Sequence, residues 1–128
     1  MRIISTLILV ISFLVLSACS TEKEETLNKY INKDVDKVEI LNGENGEQVV
    51  ITGTNEINKI VQYLESISAS PSSNKDLKGY SYKIDLINKN ETVNTITFMG
   101  DILKIDNEYY ESKNEINTNI LKDLMTKK

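Results

Sequence analysis

The sequence predicts an α+β fold, a curved antiparallel sheet of about five or six strands packed with two amphipathic helices in the order ββαββββα. Three observations predict it. Apolar and polar residues alternate through 35–41 and again through 80–106, the period of half-buried strands. Between these stretches, and at the C-terminal end, the period becomes that of a helix with one apolar stripe. Turn residues, Asn-Gly and Gly-Asp among them, separate the alternating runs at hairpin spacing.

Residues 19–34 are polar and read as a tether, and 35–128 as one domain. Within the tether Leu27, Tyr30 and Ile31 stand at helical spacing, so a short helix can follow Thr26. The run VDKVEIL (35–41), the loop NGENGE and the run QVVIT (48–52) form a β-hairpin, because Gly43 and Gly46 can take positive φ where the chain reverses. A phosphate-binding loop is excluded there, since no Lys stands in the glycine segment and no helix follows at once. Thr54 is the expected cap of a helix running to about Ser68, with Glu56 in its positive first turn. Ile57, Ile60, Val61, Leu64 and Ile67 make its core stripe, and Lys59, Gln62 and Glu65 its solvated face. ASPSSN (69–74) stops the helix and begins a loop expected to reach about Lys78. YSYKIDLI (80–87) sets Tyr80, Tyr82, Ile84 and Leu86 on one face, and 92–99 and 102–106 continue a meander. Tyr109-Tyr110 makes a fourth short strand. Ser112 and Glu115 have capping-box spacing ahead of a closing helix with Ile116, Ile120, Leu121 and Leu124 on its apolar face.

Composition excludes much chemistry. The 128 residues contain 15 Lys plus Arg, 19 Asp plus Glu, no His and one Cys, for a net charge of −4. Nucleic-acid binding draws on clustered cations, so no nucleic-acid partner is expected. Without His the usual general base and commonest metal ligand are missing, and one Cys cannot close a disulfide or a CxxC clip. Asp101, Asp106 and Glu108 lie close in sequence, but they lack the ligand order of a calcium loop, and a strand would scatter them. Ser81 and Lys83 share a strand face and read as a soluble surface rather than a catalytic pair. No catalytic residue, cofactor or metal site is assigned, and the chain is not expected to be an enzyme.

The amino end carries an address. Arg2 precedes a weakly polar to apolar run over 3–16, and Ser17 and Ala18 close it, the order of a secretory signal occupying 1–18. That run is shorter than the roughly 20 residues a spanning helix needs. Leu16-Ser17-Ala18-Cys19 resembles the lipobox of bacterial lipoproteins. The resemblance implies a diacylglycerol thioether on Cys19, which becomes the first mature residue and an anchor rather than a nucleophile. Two or more acyl chains hold stably, since each buried methylene adds about 0.8 kcal/mol. Beyond residue 18 the chain keeps 14 Lys against 19 acids, or −5, so anionic headgroups repel the domain and the lipid must hold it. The Lys-, Asn- and Ile-rich composition fits an AT-rich Gram-positive genome.

Six Tyr against two Phe is the imbalance that bears on binding, because Tyr presents a rigid amphipathic ring. Tyr109 and Tyr110 point to opposite faces of an extended strand and are the candidate protein-contact residues. From 35 to 110, Val38-Glu39-Ile40 with Asn42-Gly43, the helix 57–67, Gly79-Tyr80-Ser81-Tyr82, Ile96 to Asp101 and Tyr109-Tyr110 together resemble a family of uncharacterised small lipoproteins of Firmicutes. That resemblance implies a surface lipoprotein without an assigned reaction. The expected function is a monomeric, lipid-anchored, extracytoplasmic binding module of the cell envelope with a protein or peptide partner. The alternatives are an inhibitor or immunity lipoprotein, and a small envelope hydrolase using carboxylates.

Overall fold

Alternation decides which face of each strand is buried, and pairing then lines those faces up into one sheet. The computed structural model describes residues 24–75 and 79–127. In chain order the elements are β1 (Glu25–Thr26), a 3₁₀ turn (Leu27–Lys29), β2 (Lys37–Asn42), β3 (Gln48–Ile51), α1 (Thr54–Ser66), β4 (Ser68–Pro71), β5 (Tyr82–Asn88), β6 (Glu91–Met99), β7 (Ile102–Ile105), β8 (Glu108–Glu111) and α2 (Asn119–Thr126). The eight strands form one sheet in the order β1-β4-β8-β7-β6-β5-β2-β3, with every neighbour antiparallel. The α+β class is the one the sequence predicts, with more strands than expected.

Register explains the core. Val49, Ile40, Ile84, Ile96 and Ile105 stand opposite one another across five strands, and Tyr82, Phe98, Leu103, Tyr110 and Pro71 form the next row. The stripe of α1 and residues Ile116, Leu121 and Met125 pack on this face and exclude water from it. Ile57, Ile60, Val61, Leu64 and Ile67 are all buried, as their spacing requires. Fully burying such side chains contributes about 1.5–3 kcal/mol each, which is the term that has to outweigh chain entropy.

Four local expectations are corrected. First, the described part of the segment read as tether, from Glu25 on, is part of the fold: β1 pairs with β4, the Leu27 N–H donates to the Ile67 carbonyl at 2.9 Å, and Leu27 is 1% exposed. Ile31 is buried as well, the partly exposed Tyr30 ring lies against Tyr110, and the short helix expected after Thr26 is the 3₁₀ turn Leu27–Lys29. Second, Ser68–Pro71 is a strand where a loop was expected, and residues 76–78 of that loop lie outside the described residues. The Ser72 N–H bonds to the Tyr109 carbonyl, so by antiparallel alternation the Pro71 nitrogen faces away from β8 and its missing N–H costs the ladder nothing. Third, Thr54 does not cap α1. Gly53 is the N-cap, its carbonyl accepting the Ile57 N–H at 2.9 Å, and the helix ends at Ser66 because Ile67 turns extended. Fourth, the Ser112–Glu115 capping box does not form. α2 begins at Asn119, whose N–H is taken by the Asn117 side chain at 3.0 Å.

The two turn glycines differ. Gly46 has φ +76, whereas Gly43 is required by space, since a Cβ there would lie 2.1 Å from the Tyr80 carbonyl oxygen. Tyr80 is thereby held on the rim, partly exposed, rather than continuing the inward face of Tyr82.

Candidate functional site

The acids proposed as chemistry are used structurally or stand apart. The Asp106 carboxylate accepts the Thr95 N–H and an Asn94 amide hydrogen, both at 3.0 Å, and its backbone at φ +54 closes the turn between β7 and β8. Asp101 lies with Ser70, Glu111, Ser112 and Lys113 around a shallow depression of about 210 Å³. No group of three or more Asp, Glu, Cys or His able to hold a metal occurs among the described residues. Ser81 donates to the Phe98 carbonyl at 3.2 Å and the Lys83 ammonium lies 3.9 Å from Asp85, so each has its own partner. Glu25 is drawn below the usual carboxylate range by its hydrogen bond to Lys29, the opposite of what a general acid needs.

The tyrosine pair divides. Tyr110 is 7% exposed, and its ring lies 5.1 Å from that of Tyr30. Burial, and then the neighbouring Tyr30, push its phenol pKa up. Tyr110 therefore fixes the N-terminal segment and is no free contact residue. Tyr109 is half-buried on the opposite face, with the Lys104 ammonium 5.5 Å from its ring centre. Along that outer face the row Gln48, Leu41, Lys83, Thr97, Lys104 and Tyr109 crosses the sheet.

Asn94 is the polar residue that sequence reasoning passed over. It is 6% exposed and saturated: its oxygen accepts the Asn32 N–H at 2.7 Å, and its amide donates to the Tyr30 carbonyl at 3.1 Å and to Asp106 at 3.0 Å. The signal was present. In ETVNTITFM the inward positions are Asn94, Ile96 and Phe98, and an inward Asn must be hydrogen-bonded if buried.

The remaining feature is the β3 edge. The Asn42 N–H bonds to the Glu47 carbonyl at 2.8 Å, so pairing alternates from there. Val49 and Ile51 aim their backbone groups at β2, and Gln48 and Val50 aim theirs outward, past the end of the sheet. Val50 is 53% exposed. Beside the strand runs a groove of about 460 Å³ lined by all four residues of β3 with Glu56, Leu124 and Lys127. Tyr63, whose hydroxyl donates to the Asn117 carbonyl at 2.6 Å, ties α1 to the segment leading into α2, the helix that borders this groove. Its pKa is pushed up to about 12 by burial.

No helix among the described residues is long and apolar enough to cross a membrane. Cys19 and the segment before it lie outside the described residues. No family model, no curated protein and no solved structure matches this chain.

Proposed function

We propose that the chain is a lipid-anchored, extracytoplasmic interaction module of a Gram-positive cell envelope, held by acyl chains on Cys19 and binding a protein or peptide partner without catalysis. One observation carries the reading. The lipobox-like Leu16-Ser17-Ala18-Cys19 stands six residues ahead of β1, and β1 is one edge of the sheet while β3 is the other. Seven strand spacings of about 4.8 Å separate the two edges, roughly 34 Å across a flat sheet. The anchor thus joins the chain on the β1 side in sequence, and the outer face and the β3 edge are the surfaces we assign to a partner. The acidic charge supports the same arrangement, because a domain of net −5 beyond residue 18 gains nothing from lying on anionic lipid.

Two measurements test this reading. Feeding cells an alkyne fatty acid should label the chain, and Cys19→Ala should abolish the label and release the protein into the medium. An unlabelled chain, or a Cys19→Ala variant that stays in the membrane fraction, overturns the anchor. Crosslinking in the native envelope, with the released variant as control, should recover one dominant protein. Tyr109→Ala should weaken that capture with the fold intact, because Tyr109 is the ring of the pair that reaches solvent.

A further inference from the structure

We infer that the partner presents an extended, cationic segment that adds as a further strand along β3. The inference deepens the interaction-module reading and rests on it for the existence of a partner, but not on the lipid.

The two ends of the sheet are finished differently. An uncovered strand offers unpaired N–H and C=O groups and invites another strand, so native sheets blunt their edges. At one end this chain does so twice. β1 covers Ser68 and Ala69 of β4, and beyond its reach the outward position is Pro71, which has no N–H to offer. At the other end neither device is present among the described residues. Gln48 and Val50 direct two N–H and two C=O groups past the sheet, with no Pro and no Lys within QVVI. The strand is also longer there, four residues against two.

Side chains of an added strand would alternate between the two faces. Those on the helix side enter the groove beside Val49, Ile51 and Leu124, which suits aliphatic residues. Those on the outer side lie against the exposed Val50 and Gln48. Charge selects the occupant. Glu47 precedes the strand, Glu39 stands opposite Val50 and close to Gln48, and Glu56 lines the groove, against Lys127 among its described lining residues. A second copy of this chain would bring the same carboxylates together, whereas Lys or Arg flanking an apolar strand pairs with them. Backbone pairing then provides affinity, and the groove and the carboxylates provide the choice of sequence.

The test uses the full chain in detergent micelles and three fluorescein-labelled probes: an alternating Val/Thr heptapeptide with Lys at both ends, the same peptide with Glu at both ends, and the Lys peptide with a central Pro. Anisotropy should rise with the Lys probe and fall by about ten-fold or more in affinity for the Glu and Pro probes. Amide exchange should show Val50 and Gln48 fast in the free chain and slowed by the Lys probe. Val50→Pro removes one outward donor at a position that bonds nothing in β2, and should weaken binding. Val50→Lys keeps the backbone and should weaken the same cationic probe by repulsion, which covers the case in which the Pro variant fails to fold. Equal affinity for all three probes, or binding without slower exchange at Val50, overturns the inference. Protection of Val50 that rises with protein concentration in the absence of probe overturns it in favour of a second copy. If fatty-acid labelling and envelope capture succeed while these probes fail, the module stands and the edge is not its site. If the probes bind and labelling fails, the edge stands without the anchor.

Discussion

The two ends of this sheet solve one problem in opposite ways. At the β1 end a two-residue strand, a proline and an aromatic pair close the edge, and the segment that follows β1 is riveted by Asn94. At the β3 end a four-residue strand has β2 as its one strand partner among the described residues, with Gln48 and Val50 directed outward and Val50 exposed. The closed end depends on long-range contacts, 62 and 64 residues apart for the two Asn94 bonds to the segment. The open end pairs with β2 alone, with Ile51 in the core and Leu124 of α2 beside it. The β1 end is thus tied to distant parts of the chain, and the β3 end is left available.

The strongest way to break this contrast is to empty the closed end. Leu27→Ala removes a side chain that is 1% exposed and receives no compensating solvent, so it should cost about 2–5 kcal/mol and lower the urea midpoint accordingly. Amides of the 3₁₀ turn should exchange faster by a larger factor than those of β2 and β3. A loss below about 0.5 kcal/mol, the size of an ordinary surface substitution, would show that residues 25–31 are not core.

Asn94→Ala should come next, at about 2 kcal/mol, because it orphans the Asn32 N–H and the Tyr30 carbonyl in a partly buried site. Its signature is local. The Tyr30–Tyr110 contact should loosen, visible as a more solvent-like tyrosine environment in near-ultraviolet circular dichroism, while the β3 amides keep their rates.

Alkaline pH separates the helix side in the same manner. Tyr63 has an ordinary phenol value of 10.0 and a folded value of about 12, so the folded state holds its proton more tightly than the unfolded chain does. Its contribution is fully present below pH 10 and is lost as pH rises toward 12. Lys29 and Tyr110 are raised as well, so the wild-type curve alone does not isolate Tyr63. Tyr63→Phe should lower the unfolding free energy from urea titration at pH 8 by about 1 kcal/mol, the net worth of its bond to the Asn117 carbonyl, and make the alkaline decline shallower. An unchanged slope would mean that another group governs the decline.

Legibility in the sequence follows the same division. The β2–β3 hairpin and the stripe of α1 were readable because their signals are periodic and local, and every member of that stripe is buried. β1 was not readable, since two residues carry no period, and Ser-Ala-Ser-Pro has the composition of a loop. It became a strand because the outward side of Pro71 needs no donor, a fact that depends on which neighbours β4 acquires. The Tyr109 and Tyr110 division was half legible: alternation separates them, but only the meeting with Tyr30 decides which is buried. The open edge at Gln48–Ile51 could not be read at all, because nothing within QVVI states that no strand follows it. Composition named the missing His, and topology named the exposed Val.

The smallest expected effect sharpens the contrast most. Val50→Lys changes a side chain that is 53% exposed on a strand whose pairing with β2 is unaltered, and it sets a cation opposite Glu39. Stability should move by no more than about 0.5 kcal/mol, with cross-strand attraction offsetting a modest loss of β-propensity. Pro71→Ala at the other end does the reverse, restoring an outward N–H where the chain has none and relaxing the unfolded chain by about 0.4–1 kcal/mol. Self-association measured by sedimentation should then diverge: Pro71→Ala should gain a tendency to pair and Val50→Lys should not. If both variants associate alike, edge chemistry does not distinguish the two ends, and the exposed Val50 is an ordinary surface valine.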